Sequence, residues 1–370
     1  MSKLWALGAV VLIAWGGRVW AQTAALPPGI QESPTLTAEQ QDRLREFINA
    51  QLETLRNGPT FKARQSARDN LLQMFDHRSV STAFRSAAGS ALRNPIEEMI
   101  ASSDLFLRFS GFRLAARTSS DELARLFEGP IAAGTKPQRL FALGQLKELF
   151  IEVDRGGLAV QPATLEGLSG TIGRLLAEEE DATIALFEVR ALQQLSAATR
   201  PELEAASKKA MSDLARGVSD RLGGIPSRPF GETEDDRIEL LLQMEALDAA
   251  RAILVASNQI DTSLANDLGT WSGQVLAFVL RVYEKVPPRA GDDARRHLER
   301  LTLHALETAQ QVVLRMPGNP NPPITQKPEE LVKRLGTDMN RFKIEILRLI
   351  GPDGEFYRLF KVKPGSFALE

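Results

Sequence analysis

Histidine side chains are the first candidates for chemistry, because imidazole binds metal ions and transfers protons near neutral pH. The chain has three: His77 stands alone, whereas His297 and His304 are seven residues apart. Seven residues of α-helix rise by about 10 Å, but a zinc ion lies only about 2 Å from each nitrogen that ligates it. Asp293 precedes His297 by four residues, a spacing that suits chelation, yet no third ligand accompanies the pair. We therefore predict no metal site and no cofactor.

Two acidic clusters are the next candidates, since carboxylates perform acid–base catalysis and bind calcium. They occupy 178–181 (EEED) and 232–236 (ETEDD). Consecutive side chains on a helix point about 100° apart, so the carboxylates within a cluster diverge. Each cluster lies at or just before a predicted helix start, where the helix dipole favours negative charge. We interpret both clusters as helix-start acids rather than as a site.

Motifs for nucleophilic catalysis are absent from the sequence. Neither G-x-S-x-G nor S-x-x-K occurs. The chain has no cysteine, which excludes a thiol nucleophile, a disulfide and a lipid anchor on cysteine. Glycosidases use two carboxylates on opposite sides of a cleft, an arrangement that local sequence does not reveal. We predict no catalytic residue and favour a non-enzymatic protein.

The elements that would position any such residues are short amphipathic helices. The stretch 104–153 shows the pattern: Leu105, Phe106, Phe109, Phe112 and Ala116 recur at spacings of three and four, which marks one face of a helix. Gly and Pro at 129–130 end the next helix, and Pro at position 137 begins another.

Elsewhere, Pro95 predicts a helix boundary. Glycines at 167, 170 and 173 predict close approach of a neighbouring helix rather than a phosphate-binding loop.

One apolar pattern recurs loosely along the chain. Segments of the type apolar-x-x-apolar-x-x-apolar begin at Phe109, Leu140, Leu186 and Leu241. Their spacing is irregular, as in a degenerate array of helical hairpins that bury their apolar faces only by stacking. Over roughly 59–288 this style of repeat resembles the HEAT/armadillo class of α-solenoids. The alternative is a single helical bundle without repeats.

The composition narrows the choice of partners. The formal charge is −2 and no basic excess favours nucleic acid or an anionic membrane. A helical array without catalytic motifs points instead to a protein partner. The pattern carries no information on the oligomeric state.

The first 21 residues read as a secretory signal. Lys3 supplies the positive start, 4–15 is an apolar run, and small residues precede a cleavage site between Ala21 and Gln22. The run is short for a bilayer span, which needs about 20 residues. We predict an exported protein of the periplasm or the extracellular space. The alternative is an uncleaved N-terminal anchor, the one case in which we expect membrane attachment.

Breaks rich in Gly and Pro predict the boundaries of the chain's segments. We expect a signal peptide (1–21), a flexible lead (22–36), an N-terminal helical array (37–221), a linker (222–233), a second helical lobe (234–316), a Pro-rich linker (317–328), and a C-terminal helix with an aromatic tail (329–370). The tail carries Phe356, Tyr357, Phe360 and Phe367. These rings either pack against the protein's own last helix or form a partner-binding tail.

Together these patterns predict an all-α fold, an irregular stack of helical hairpins with a C-terminal helix and a short tail. The function we expect is an exported, non-enzymatic scaffold that binds a protein through a groove or through its tail. The alternative is an α-helical envelope enzyme that acts on glycan or peptide through carboxylates that no local motif reveals.

Overall fold

The computed structural model describes residues 26–76, 79–156, 159–225, 229–287, 291–318, 324, 326–363 and 365–367. Over these residues the fold is all-α, as predicted, and its one strand-like feature is an isolated parallel bridge between Ser120 and Ala159. The predicted signal with its cleavage site at Ala21 and Gln22, and His77, lie outside the described residues.

The helices follow one another with short connections. They are α1 (Ala38–Asn57), α2 (Phe61–Gln73), α3 (Thr82–Ala101), α4 (Leu105–Thr118), α5 (Asp121–Ala124), α6 (Glu128–Ala133), α7 (Lys136–Arg155), α8 (Pro162–Glu178), α9 (Ala182–Ser196), α10 (Glu204–Gly224), α11 (Glu234–Ala256), α12 (Thr262–Val282), α13 (Gly291–Arg315), α14 (Pro328–Thr337), α15 (Met339–Ile350) and α16 (Glu355–Leu359). Short 3-10 turns lie at Ile30–Glu32, Arg125–Phe127, Pro201–Leu203 and Tyr283–Lys285.

Helices of successive hairpins alternate between two layers. The first layer contains α1, α3, α5 with α6, α8, α10 and α12, and the second contains α2, α4, α7, α9, α11 and α13. In each layer a helix packs against the next one along the stack, and α14 and α15 extend the second and first layers respectively. This stack of helices is compatible with a helical solenoid, in which each hairpin buries its apolar face against its neighbours.

The loose repeat in the sequence matches this layering. The segments that begin at Phe109, Leu140, Leu186 and Leu241 lie on α4, α7, α9 and α11, four successive helices of the second layer. Their later apolar positions are buried in the core, except Met244, which is half-buried. The spacing is irregular because the helices and their connections differ in length from one hairpin to the next.

Polar side chains also join successive hairpins within each layer. In the first layer the pairs include Arg56–Glu98, Ser169–Asp213 and Arg216–Asp267. In the second layer they include Arg117–Glu152, Arg190–Glu245 and Arg251–Glu307. Arginine therefore supplies one partner in five of these six pairs.

The glycines of α8 allow the close approach that the sequence predicted. A Cβ on Gly173 would lie 3.0 Å from the carbonyl oxygen of Asp213 on α10, and a Cβ on Gly217 would lie 2.8 Å from the carbonyl oxygen of Gly173. Since contacts this short require one backbone to move, the two helices depend on glycine where they meet. Gly167 faces open space instead.

The predicted boundary at Pro95 is wrong. Pro95 lies inside α3, which continues to Ala101. Proline in a helix interior removes one hydrogen bond and normally bends the helix. Here the helix is held on both sides of the proline, because Leu92, Ile96 and Met99 are all buried, so tertiary packing overrides the local preference.

Both ends of the stack differ from the sequence prediction. The lead at 22–36 packs against the protein over its described part, since Ile30 is buried and the Gln31 carbonyl accepts a hydrogen bond from the Ser81 amide. The single helix predicted from 329 is two helices, α14 and α15. Asp338 separates them and caps α15 by accepting a hydrogen bond from the Arg341 amide.

The predicted linkers fall in connections between helices. Residues 222–224 form the last turn of α10, and 226–228 lie outside the described residues, as do 319–323 and 325 of the second linker. Helices on the two sides of the first linker pack together, α9 on α11 and α10 on α12. The division into two lobes stays a prediction.

Candidate functional site

Large apolar side chains are exposed at the start of α2 and of α4, two neighbouring helices of the second layer. Phe61 is 63% exposed and Leu105 is 58% exposed. The ring of Phe106 lies 4.9 Å from that of Phe61, centroid to centroid. Exposed apolar side chains that cluster in this way mark interaction surfaces more often than isolated ones do.

Two arginines hold this apolar cluster in place. The guanidinium groups of Arg64 and Arg68 lie 5.1 Å and 5.4 Å from the centre of the Phe106 ring. Arg64 is fixed by Asp104 at 2.6 Å, and Arg68 by Asp69 at 2.8 Å. Cation–π contacts and ion pairs therefore orient the Phe106 ring.

The cluster continues along the layer as an aromatic surface. The rings of Phe109 and Phe141 are 4.2 Å apart, which joins α4 to α7. We call Phe61, Leu105, Phe106, Phe109 and Phe141 the aromatic surface. The rings of Phe106, Phe109 and Phe141 are half-buried, so their outer edges are accessible while their bodies are packed.

A cleft of about 750 Å³ adjoins the aromatic surface at Phe141. It lies between α2, α4 and α7. Its walls are Asp69, Leu72, Gln73, Asp76, Arg113, Ala116, Arg117, Phe141, Gln145, Glu148 and Glu152. Arg113 and Glu148 are exposed and have no ion-pair partner among the described residues. The cleft thus offers one free charge of each sign beside an apolar edge.

Arginine holds the other carboxylates of the cleft. The guanidinium of Arg117 donates hydrogen bonds to Glu152 and, at 2.6 Å, to Asp76. Arg155 is 3.3 Å and Arg85 is 3.9 Å from the buried Glu152 carboxylate. Asp76 and Glu152 therefore fasten α4 to its neighbours rather than facing each other as an acid–base pair.

The two acidic clusters meet, although the sequence predicted that the carboxylates within each cluster diverge and form no common site. The connection before α9 and the start of α11 are neighbours in the stack, and their acids line one cavity of about 390 Å³. Arg221 lies in its wall, binds Glu239 at 2.7 Å and donates to the Glu179 carbonyl. As predicted, the clusters also serve helix starts, because Asp181 caps α9 and Asp236 completes the capping box of α11.

Glu188 lies in the core beside this cavity and is fully buried. Burial, together with the nearby Glu179 carboxylate, raises the pKa of Glu188 to about 8. Arg139 counteracts part of this shift by donating a hydrogen bond to Glu188 at 3.1 Å. Glu188 is a core carboxyl between α7 and α9 rather than a wall residue of either cavity.

Each of the two described histidines lies near a single carboxylate rather than in a cluster of acids. His297 lies 3.8 Å from the Asp293 carboxylate, and His304 lies 3.1 Å from that of Asp248 on α11. No group of three His, Asp or Glu that could hold a metal ion occurs in the part of the chain that the structure describes. Nor is any helix there long and apolar enough to cross a membrane.

The aromatic tail docks onto the protein itself. Phe356, Phe360 and Phe367 are buried and Tyr357 is half-buried. A Cβ on Gly269 would collide with the Phe360 ring, and a Cβ on Gly273 with the Phe367 ring, so these glycines of α12 form the slot that holds the tail. A partner-binding role for these four residues stays a prediction, and it requires the tail to leave this slot.

Sequence reasoning missed the aromatic surface because it treated apolar residues on helices as core. One local signal was present: Phe61 and Leu105 directly follow the capping residues Thr60 and Asp104, so both lie in the first turn of their helices. No protein-family model matches the chain, and no curated protein matches its sequence.

Proposed function

We propose that the chain is an exported, non-enzymatic scaffold of the HEAT/armadillo-like class, and that it binds a protein through the aromatic surface and the adjoining cleft. The observation that carries the proposal is the pair of exposed apolar residues, Phe61 and Leu105, beside a ring that two arginines hold rigid. Solenoids commonly present such extended surfaces to their partners.

The chemistry of the surface suits a peptide segment. Burial of an exposed Phe or Leu side chain contributes about 1.5–3 kcal/mol, and aromatic rings and arginines are frequent in interface hot spots. The free charges of Arg113 and Glu148 would favour a peptide segment in which an apolar side chain lies near one acidic and one basic residue. Because Arg64 and Arg68 already hold Phe106, its ring loses little side-chain entropy on binding.

The test is cross-linking of the tagged protein in its native cell envelope, followed by mass spectrometry. We expect one recurrent protein partner. The variant Phe61→Ala with Leu105→Ala should weaken its capture by about tenfold or more. Val255→Ala is the matched control, since Val255 is also exposed, at 73%, but lies on α11. Equal capture by both variants would contradict the proposed surface.

One carboxylate of the cleft supports a second candidate, the α-helical envelope enzyme that acts on glycan or peptide. Glu148 is the acid of choice, because no arginine pairs with it among the described residues. Turnover of an envelope glycan or peptide that Glu148→Gln abolishes, with the fold intact, would establish this candidate. Turnover that is indifferent to Glu148 would remove it.

Export is part of the proposal and has its own test. The supporting feature is the charged start, apolar run and small-residue site in the first 21 residues. N-terminal sequencing of protein from the envelope fraction should begin at Gln22. An intact Met1 would support the anchored alternative.

A further inference from the structure

We propose that the exposed face of α15 binds the surface of an anionic phospholipid membrane. Ile344, at the centre of this face, is 68% exposed. Arg341, Lys343 and Arg348 are exposed around it, and Leu347 is half-buried one turn away. The opposite face of the helix, with Phe342, Ile346 and Leu349, is buried in the protein.

The cations flank the apolar centre on both sides. At about 100° per residue, Lys343 lies about 100° to one side of Ile344, and Arg341 and Arg348 lie about 60° and 40° to the other. Ile344 and Leu347 therefore form an apolar line with positive charge along each edge. This is the arrangement of helices that lie in a membrane interface, with apolar side chains among the acyl chains and cations at the phosphates.

The chain that follows adds to the positive charge. Arg358, Lys361 and Lys363 are exposed. Across residues 339–363 six cations face three acids, and two of those acids are occupied: Glu355 lies 3.4 Å from Arg348, and Glu345 lies 4.0 Å from Arg334 on α14. Asp353 is the acid left in this range, beside five cations that have no ion-pair partner in the part of the chain that the structure describes, and the total charge of the chain is −2.

This local excess distinguishes a lipid surface from a protein partner. Each Lys or Arg near an anionic leaflet strengthens binding by a factor of about five, and the effect adds up without specific geometry. One exposed isoleucine inserts shallowly, so the attachment is reversible. The mixed charges around the aromatic surface do not provide such a field.

The membrane-binding face goes beyond the proposed function, because it lies at the other end of the stack. The aromatic surface belongs to α2, α4 and α7, near the start of the solenoid, whereas α15 packs on α12 near its end. A protein held to a membrane through α15 would leave the aromatic surface free for its partner.

The test uses the full chain with one dye. Because the natural chain has no cysteine, Asn340→Cys, an exposed position on the same face, carries a single environment-sensitive fluorophore. We expect its emission to shift to shorter wavelength with phosphatidylglycerol vesicles, and not with phosphatidylcholine vesicles. High salt should reverse the shift, because it screens charge.

Two variants on this labelled background test the residues. Ile344→Asp should abolish the shift, and Arg341→Gln with Lys343→Gln should weaken vesicle binding by about tenfold or more. A dye at Val255→Cys, on α11, should not respond, which separates this face from attachment through residues 1–21.

Several results would overturn the proposal. They are an unchanged emission at 340, an equal shift with both lipids, or a shift that Ile344→Asp leaves intact in a variant of normal helix content. A shift with an anionic polysaccharide but not with vesicles would assign the face to a glycan instead. None of these results bears on capture of a protein by the aromatic surface.

Discussion

Glu188 shows how a single residue can make the stability of the stack depend on pH. Its pKa is raised from 4.5 to about 8 in the folded protein, chiefly by burial. Between these two pH values, Glu188 therefore keeps its proton in the folded state and releases it in the unfolded state. Its contribution to stability is present below about pH 4.5, is lost progressively as the pH rises to about 8, and is constant above that.

The prediction is that Glu188→Gln, which resembles the protonated form, removes this dependence. Between pH 5 and pH 8 the free energy of unfolding of the natural protein should fall relative to that of the variant, by up to about 1.4 kcal/mol per pH unit. Urea unfolding at the two pH values measures it. Parallel curves for both proteins would show that Glu188 does not hold its proton.

Arg117 gives a second test at the residue scale. It joins Asp76 and Glu152 across the cleft, and Glu152 is buried. Removing one partner of a buried pair leaves an uncompensated charge, so Arg117→Ala should lower the free energy of unfolding by about 2–4 kcal/mol. This loss of unfolding free energy is smaller than for an isolated buried pair, because Arg155 also contacts Glu152.

The matched control is Arg174→Ala. Arg174 pairs with Glu178 on an exposed surface, at 3.8 Å, and such pairs contribute less than about 1 kcal/mol. Equal losses of unfolding free energy in the two variants would mean that the ion pairs of Arg117 stabilise the fold no more than an exposed pair does.

At the scale of elements, the aromatic tail closes the end of the solenoid. Terminal repeats of solenoids need a cap, because the last helix would otherwise expose its apolar face. Here α12 is covered by α15 and by the tail, whose rings fill the slot at Gly269 and Gly273. The Gln274 side chain adds a hydrogen bond to the Ser366 carbonyl.

Gly269→Ala should release the tail, because the added methyl group collides with the Phe360 ring. We expect a loss of about 1–3 kcal/mol in unfolding free energy and early trypsin cleavage after Arg358 and Lys361. Gly167→Ala is the control: its Cβ would meet no atom within 4 Å, so it should be neutral or slightly stabilising. If Gly269→Ala is as stable and as protease-resistant as the control, the tail does not depend on the slot.

The sequence predicts local features of the elements well and long-range ones poorly. Thr37 and Gln40 form a capping box at the start of α1, a motif that the sequence alone reveals because its two residues are three apart. The continuation of α3 through Pro95 was missed because packing with distant residues decides it. The break at Asp338 was also missed, although Asp338 caps α15 locally. The cleft was also beyond the sequence, because its walls come from three helices that meet only when the hairpins stack.

At the scale of the whole molecule, the stack separates two surfaces. The aromatic surface lies near the start of the solenoid and the cationic face of α15 near its end. Each hairpin contacts mainly its neighbours, so changes at one end should leave the other intact. That independence allows the proposed protein-binding and membrane-binding surfaces to be tested one at a time.

The central claim is that the aromatic surface contacts a protein, and site-specific photo-cross-linking in the native envelope tests it most directly. A photoreactive amino acid would replace Phe61 in one protein, Leu105 in a second and Val255, on α11, in a third. We predict that positions 61 and 105 cross-link to the same protein and that position 255 does not. Identical products from all three positions, or none from 61 and 105, would contradict the claim.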